Sequence, residues 1–230
     1  MINKIVNSVA EALGNVADGS TVLLSGFGDA GMSHALIAGL VVQGARDLTV
    51  VCNNAGSGEA GLAALLKAGR VRRMICSFPR APTSFVFDEL YRAGRVELEL
   101  VPQGTLAERI RAAGAGIGGF FIQTSSGTPL AKGKELRQID GKNYVLELPI
   151  HADLALINAE RGDRWGNVVY RKAARNFGPV MAPAAKRTVV SVNEVVELGA
   201  LDPEHIVTPG IFVDKIVCIP RTINAAGADK

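Results

Sequence analysis

The chain has 230 residues, 48% hydrophobic and 20% charged, with 25 Lys and Arg against 22 Asp and Glu. That balance excludes a disordered chain and suits a compact α/β protein with a sizeable core. A formal net charge of +3 without a basic run, and only 5% aromatic residues, exclude a nucleic-acid-binding stripe or base-stacking surface.

Residues 3–16 carry Ile5, Val6, Val9, Ala12 and Leu13 at helical spacing. Thr21–Leu24 reads as a short strand, followed by a glycine-rich turn and a helix from His34 to Val42. Leu48–Cys52, Met74–Cys76 and Val96–Val101 read as further strands, with Ala60–Lys67 and Ser84–Arg92 as the helices between them. This alternation predicts an α/β fold: an open, mostly parallel sheet with helices on both faces. The second half changes character. Leu136–Ile139, a turn at residues 140–143 and Tyr144–Leu148 predict an antiparallel hairpin. Leu154–Ala159 and Thr188–Val196 read as strands buried on both faces, and Phe212–Ile219 as the last one. Residues 114–119 and 124–129 read as mobile turns.

No linker or repeat interrupts the chain, so residues 1–221 are expected to form a single domain. Residues 222–230, rich in Ala and Gly without apolar periodicity, are expected to be a disordered tail. Cys52, Cys76 and Cys218 sit in apolar stretches and read as thiols of a reducing compartment. Neither they nor His34, His151 and His205 show metal-ligand spacing, so no metal site is expected. The N-terminus lacks a signal-peptide pattern, and no apolar run approaches the roughly 20 residues of a spanning helix. A cytoplasmic protein without a membrane partner is the expectation.

Three strands of the first half end in turns of small or amide residues: Ser25-Gly26-Phe27-Gly28-Asp29-Ala30-Gly31, then Asn53-Asn54-Ala55-Gly56, then Pro102-Gln103-Gly104-Thr105. Ligands of open α/β sheets bind outside the carboxyl ends of the strands, where such turns gather. Gly26 to Gly31 spells G-x-G-x-x-G between a strand and a helix, the context of a dinucleotide-binding fingerprint. That reading requires an acidic residue at the end of the second strand, where Cys52-Asn53-Asn54 stands instead. A tight turn without a ligand is the plainer alternative. Asn53 and Asn54 each offer two donors and an acceptor, and Gln103 at a helix N-terminus would suit a developing oxyanion.

These motifs, with Pro102–Arg111 intact and Arg171 to Phe177 further on, resemble the A subunit of the family I coenzyme A transferases. The resemblance runs from the N-terminal helix to about Pro220. It implies a three-layer α/β sandwich, a CoA thioester as co-substrate and no tightly bound cofactor. Ser25, Gly26, Phe27, Gly28, Asp29, Ala30 and Gly31 would approach CoA, and Gln103 would donate to the thioester oxyanion. Asn53 and Asn54 would hold the acyl carbonyl or carboxylate. Segments 77–80, 86–92 and 162–167 are most similar to members that move CoA from succinyl-CoA to 3-oxoadipate in aromatic-compound degradation. Acetoacetate-type members share the core motifs.

A dicarboxylate substrate needs a cation, and Arg80, after a strand end, is the first candidate. Arg171, Lys172 and Arg175 are candidates for CoA phosphates or the partner chain. The family's nucleophile is a glutamate in a Ser-Glu-Asn-like turn of the B subunit. No such turn occurs here, and Glu59 and Glu108 are the nearest carboxylates. The expectation is therefore a hetero-oligomer with a B subunit (heterodimer or heterotetramer) in which this chain alone is inactive. Three departures from the family pattern stand out: Ser25 for a glycine, Ser33 for a proline, and Ser125-Ser126 for a Gly-Tyr pair. The competing readings are a non-catalytic CoA-binding protein and an NAD-dependent oxidoreductase.

Overall fold

The computed structural model describes residues 1–221, so the tail expected at 222–230 lies outside the described residues. In chain order the elements are β1 (Ile5–Val6), α1 (Val9–Leu13), β2 (Thr21–Leu24), α2 (His34–Gln43), β3 (Leu48–Val51), α3 (Leu62–Lys67) and β4 (Val71–Cys76). There follow α4 (Phe85–Arg92), β5 (Glu97–Leu100), α5 (Gln103–Gly114), β6 (Phe120–Ile122), β7 (Leu136–Ile139), β8 (Lys142–Glu147) and β9 (Leu154–Asp163). The chain continues through β10 (Val168–Val169), α6 (Gly178–Met181), β11 (Thr188–Val196) and β12 (Lys215–Cys218). The main sheet runs β1-β12-β11-β9-β2-β3-β4-β5, and β10 pairs on β9. Every pairing along that path is parallel, and only β10 runs antiparallel to its neighbour.

Successive strand residues feed two cores on opposite faces, as a period of two requires. Val22, Leu24, Val50, Cys52, Met74 and Cys76 join the helices α1 to α4 in one core. Leu23, Val51, Ile75 and Val101 join α5 and α6 in the other. The expected parallel sheet with helices on both faces is therefore what the chain forms.

Three local expectations change. Residues 3–16 are not one helix: Ile5 and Val6 pair with Ile216 and Val217 of β12, and the helix starts only after Ser8. The Ser8 hydroxyl accepts from the Glu11 backbone at 3.1 Å, and the Glu11 carboxylate accepts from the Asn7 backbone at 3.1 Å. These reciprocal bonds fix the helix start inside an apolar pattern that periodicity alone reads as continuous. Strand β9 runs on past Ala159, because β11 pairs with it as far as Val196 with Asp163. The last strand is shorter than expected, since residues 210–212 form a single 3-10 turn.

The predicted hairpin is present, with Asp140 and Gly141 both at positive φ (47° and 74°) in its two-residue turn. Strand β6 pairs with β8 as well, making a three-stranded antiparallel sheet. An ion network joins this sheet to the edge of the main one. Buried Glu147 pairs with Lys134 at 2.6 Å and lies 3.8 Å from Arg109. Arg109 in turn binds Glu99 of β5 at 2.6 Å, and Glu99 also pairs with Arg73 of β4. Burial opposes ionisation of Glu99, but the bonds and charges of Arg109 and Arg73 outweigh it and hold its pKa below the usual glutamate range.

A depressed carboxylate contributes stability that is complete above the unfolded pKa of about 4.3 and is lost as pH falls through the folded value. Glu99→Gln should therefore lower the melting temperature at pH 7. Its difference from the parent should shrink steadily in melts taken from pH 5 towards pH 3. A difference that does not change with pH would place the effect outside the titration of Glu99.

Candidate functional site

The turn after β2 is held from both sides. The Ser25 hydroxyl donates to the Gly31 carbonyl at 2.6 Å, and the Asn158 backbone N–H donates back to it at 3.2 Å. Ser25 is buried, so the hydroxyl that replaces a glycine here satisfies polar backbone that water does not reach. Asn176, 150 residues away, does the same on the outer side. Its Oδ1 accepts from the Gly26 N–H at 2.9 Å, and its Nδ2 donates to the carbonyls of Ala30 at 3.0 Å and Ala174 at 2.8 Å. Gly31 has φ 76°, and a Cβ there would lie 2.3 Å from the Ala174 carbonyl oxygen. The close approach that excludes a side chain is thus to the chain's own 174–176 segment. Asp29 projects outward, its side chain 3.8 Å from His34.

The second turn locks onto the first. Asn54 accepts from the Gly56 N–H at 3.0 Å and donates to the Gly28 carbonyl at 3.4 Å. Asn53, only 4% exposed, receives the backbone N–H groups of Ser77 and Phe78 on its carbonyl oxygen at 3.1 and 2.9 Å. Its side-chain Oδ1 accepts from Gln103 Nε2 at 2.8 Å and from the Ser77 hydroxyl at 2.8 Å. Gln103 opens α5 directly after Pro102, so its carboxamide starts from a helix N-terminus. The strand ends of β2, β3, β4 and β5 therefore meet in one hydrogen-bonded cluster.

That cluster forms the wall of a cleft of about 660 Å³, with Asn53, Asn54, Ser77 and Gln103 on one side and Phe27 and Phe78 at its mouth. Both phenylalanines are more than half exposed. The described residues that line the cleft carry amides, hydroxyls and apolar groups, and no charged side chain. Arg80 is not brought into it. Its guanidinium pairs with Asp88 at 3.1 Å and borders a separate small pocket beside Phe87, Tyr91 and Leu98. Glu59 pairs with Lys67 at 2.9 Å and Glu108 with Arg111 at 2.6 Å, both outside the cleft. Arg171 borders a second crevice of about 710 Å³, on the other flank of the glycine turn, with Asp29, His34, Asn158 and Ser191. Ser33 caps α2 there, while Ser125 and Ser126 lie outside both lining sets.

The cleft is lined by neutral amides and hydroxyls, which can donate and accept hydrogen bonds but carry no formal charge. Cys52 and Cys76, which do not line the cleft, are poor nucleophiles: burial pushes the Cys52 thiol up to about 11 and, with Cys52 nearby, the Cys76 thiol up to about 12. Asp47 precedes β3 and Cys52-Asn53-Asn54 follows it, so no acidic residue stands at the end of that strand, where a dinucleotide site needs one. Among the described residues no helix is long and apolar enough to cross a membrane, and no cluster of three or more His, Cys, Asp or Glu could hold a metal. Sequence reading singled out neither Asn176 nor Ser77 as a site residue. Both lie in segments that carry the resemblance, but their bonds to Gly26 and Asn53 join residues 150 and 24 positions apart, which the pattern does not reveal.

The family model described as Coenzyme A transferase matches residues 6–218. The A subunit of 3-oxoadipate CoA-transferase from Pseudomonas putida is 65% identical over 219 residues, covering 95% of this chain and 95% of that protein. The protein of the same name from Acinetobacter baylyi is 59% identical over 226 residues, covering 98% and 99%. The A subunit of a probable succinyl-CoA:3-ketoacid coenzyme A transferase from Bacillus subtilis is 45% identical over 216 residues, covering 94% and 90%. Among solved structures, an acyl-CoA transferase from E. coli O157:H7, in a thioester complex with CoA, superposes with a TM-score of 0.85 at 22% identity. That match covers 99% of this chain but 52% of the other, so this chain spans about half its length. Glutaconate coenzyme A-transferase from Acidaminococcus fermentans superposes with a TM-score of 0.84 at 22% identity, covering 94% and 76%. At such identities the structural likeness speaks for the fold.

Asn176→Ala would leave the Gly26 N–H and the Ala30 and Ala174 carbonyls without their side-chain partner. These partners are exposed or part-buried, so the relevant figure is the net worth of an ordinary hydrogen bond, about 0.5–1.5 kcal/mol. We expect a loss in that range in urea unfolding, and Asn176→Asp should recover only part of it because it lacks the Nδ2 donor. Stability equal to the parent in Asn176→Ala would show that the staple is dispensable.

Proposed function

The chain belongs to the coenzyme A transferase family, and we propose that it is the A subunit of a two-chain enzyme that moves CoA from succinyl-CoA to 3-oxoadipate. The observation that carries this reading is the neutral cleft: Gln103 is held with its amide at the strand ends, and no carboxylate among the described residues lines the space beside it. Such a site stabilises a tetrahedral oxyanion but cannot begin the reaction. The nucleophile then comes from a partner, in line with the relatives' designation as A subunits. Identities of 65% and 59% to the 3-oxoadipate enzymes, against 45% to the 3-ketoacid relative, favour the longer dicarboxylate acceptor.

In the proposed cycle a carboxylate of the partner, the B subunit, attacks the succinyl thioester carbon. The C–S bond breaks, CoA leaves as the thiolate, and an enzyme-bound mixed anhydride remains. The thiolate then attacks the enzyme-side carbonyl of that anhydride, releasing succinate and leaving a glutamyl-CoA thioester. The acceptor carboxylate reverses these two steps and departs with CoA. Each half-reaction conserves the thioester bond, the usual logic of covalent catalysis. Within this cycle Gln103 donates to the oxyanion, turn 25–31 lies along the CoA arm, and Asn54 orients the acyl group. With Arg80 turned to Asp88, the distal carboxylate takes its counter-charge from the partner chain. The reading also places the enzyme in the cytoplasm as a heterodimer or heterotetramer.

Two outcomes are expected. Purified with its partner and exposed to succinyl-CoA, the complex should gain one CoA by intact mass, and the gain should sit on the partner chain. An adduct on this chain would move the nucleophile here, and no adduct on either chain would sink the transferase reading. Gln103→Ala should lower kcat about 10²–10³-fold, the range for loss of one oxyanion donor, while CoA binding shifts far less. Equal losses in both would remove the oxyanion role from Gln103.

A further inference from the structure

We propose that Ser77 is a positioning residue for the transfer reaction, acting through Asn53 on Gln103. This rests on the oxyanion role of Gln103 proposed above. Asn53 Oδ1 has two lone-pair directions with a donor at each: Ser77 Oγ–H at 2.8 Å, closer than the 3.1 Å from the same hydroxyl to the Asn53 backbone oxygen, and Gln103 Nε2–H at 2.8 Å. With Ser77 donating to the same atom, the Asn53 amide is held with its oxygen towards Gln103. Reversing Asn53 alone would set its Nδ2 against the Gln103 donor.

A carboxamide nitrogen carries two coplanar hydrogens roughly 120° apart, so fixing one fixes the direction of the other. The hydrogen that Gln103 spends on Asn53 therefore aims its second hydrogen, and Ser77 guarantees that Asn53 is there to receive the first. Gln103 sits at the first position of α5, with its side chain beside the cleft rather than packed in the core. Its aim must come from a neighbour's hydrogen bond.

The backbone makes this relay stiff. The N–H groups of Ser77 and Phe78 both bind the Asn53 carbonyl oxygen, and Asn54 forms a parallel bridge with Phe78. Ser77 thus stands at a fixed place relative to Asn53, and its hydroxyl needs only one rotamer to reach Oδ1. The same arrangement gives Asn53 a different task from Asn54. Its oxygen is spent inside the cluster, whereas Asn54 faces the glycine turn.

The test compares Ser77→Ala and Ser77→Thr in the complex with the partner chain, each in the parent and in the Gln103→Ala background. Ser77→Ala should lower kcat about five- to tenfold, the weight of one ordinary hydrogen bond, with KM for succinyl-CoA within about twofold. Ser77→Thr, which keeps the hydroxyl, should recover most of the loss. In the Gln103→Ala background the same serine change should alter kcat by less than about twofold, because the group it aims is gone. An undiminished loss in that background would overturn the relay, as would a rise in KM with kcat unchanged.

A second readout does not depend on turnover. With only this chain 15N-labelled in the complex, the Gln103 side-chain N–H pair, identified by its disappearance in Gln103→Ala, should exchange with water faster in Ser77→Ala than in the parent. Equal exchange rates would also overturn the proposal. If the parent complex transfers no CoA between the two dicarboxylates, the substrate reading fails, and the exchange rates still decide whether Ser77 holds Gln103.

Discussion

Parallel pairing of β2, β3, β4 and β5 is the constraint on which the rest depends. Because these strands run the same way, Leu24, Val51, Cys76 and Leu100 all end at one edge of the sheet. Each following turn must then satisfy its own backbone polar groups in a crowded, partly dry place. Small residues let the turns approach one another, and amides supply both donors and acceptors at that edge. The cluster of Asn53, Asn54, Ser77 and Gln103 is the consequence. It satisfies the turns and leaves a row of neutral dipoles facing the cleft.

Under the proposed oxyanion role, neutrality is what the arrangement supplies. A fixed N–H donor stabilises charge as it develops, with little reorganisation. A formal cation there would bind substrate carboxylates in the ground state as well, and uniform binding does not raise turnover. The chain instead gathers an ion network near β5, where Glu147, Arg109, Glu99 and Arg73 dock the small antiparallel sheet. Structural electrostatics and the polar site thus occupy different parts of one molecule. They meet in α5, whose first residue is Gln103 and whose second turn carries Arg109.

The glycine turn has a similar double explanation. Glycines in a G-x-G-x-x-G pattern suggest a ligand pressed against the backbone, yet the nearest obstruction to a side chain at Gly31 is the Ala174 carbonyl. Asn176 and Ser25 absorb the polar groups on either side, so the turn is rigid before any ligand arrives. Rigidity of this kind lowers the cost of ordering on binding. It suits a turn proposed to lie along a long, flexible thioester arm.

The order of strand-like and helix-like segments was enough to set the layers and the edge. Alternation of apolar strands with helical segments requires a parallel sheet, and a parallel sheet brings residues 25–31, 53–56 and 102–105 together because each follows a strand. What the chain alone could not decide was set by contacts between distant segments. Ser8 and the pairing with β12 split the N-terminal apolar stretch into strand and helix. Arg80 follows a strand end, as read, but Asp88 draws it away from the cleft. Asn176 and Ser77 owe their roles to partners 150 and 24 residues away, at distances that no local pattern encodes. Local propensity and periodicity act over a few residues, while the direction of a side-chain hydrogen bond is fixed only once packing has placed both ends.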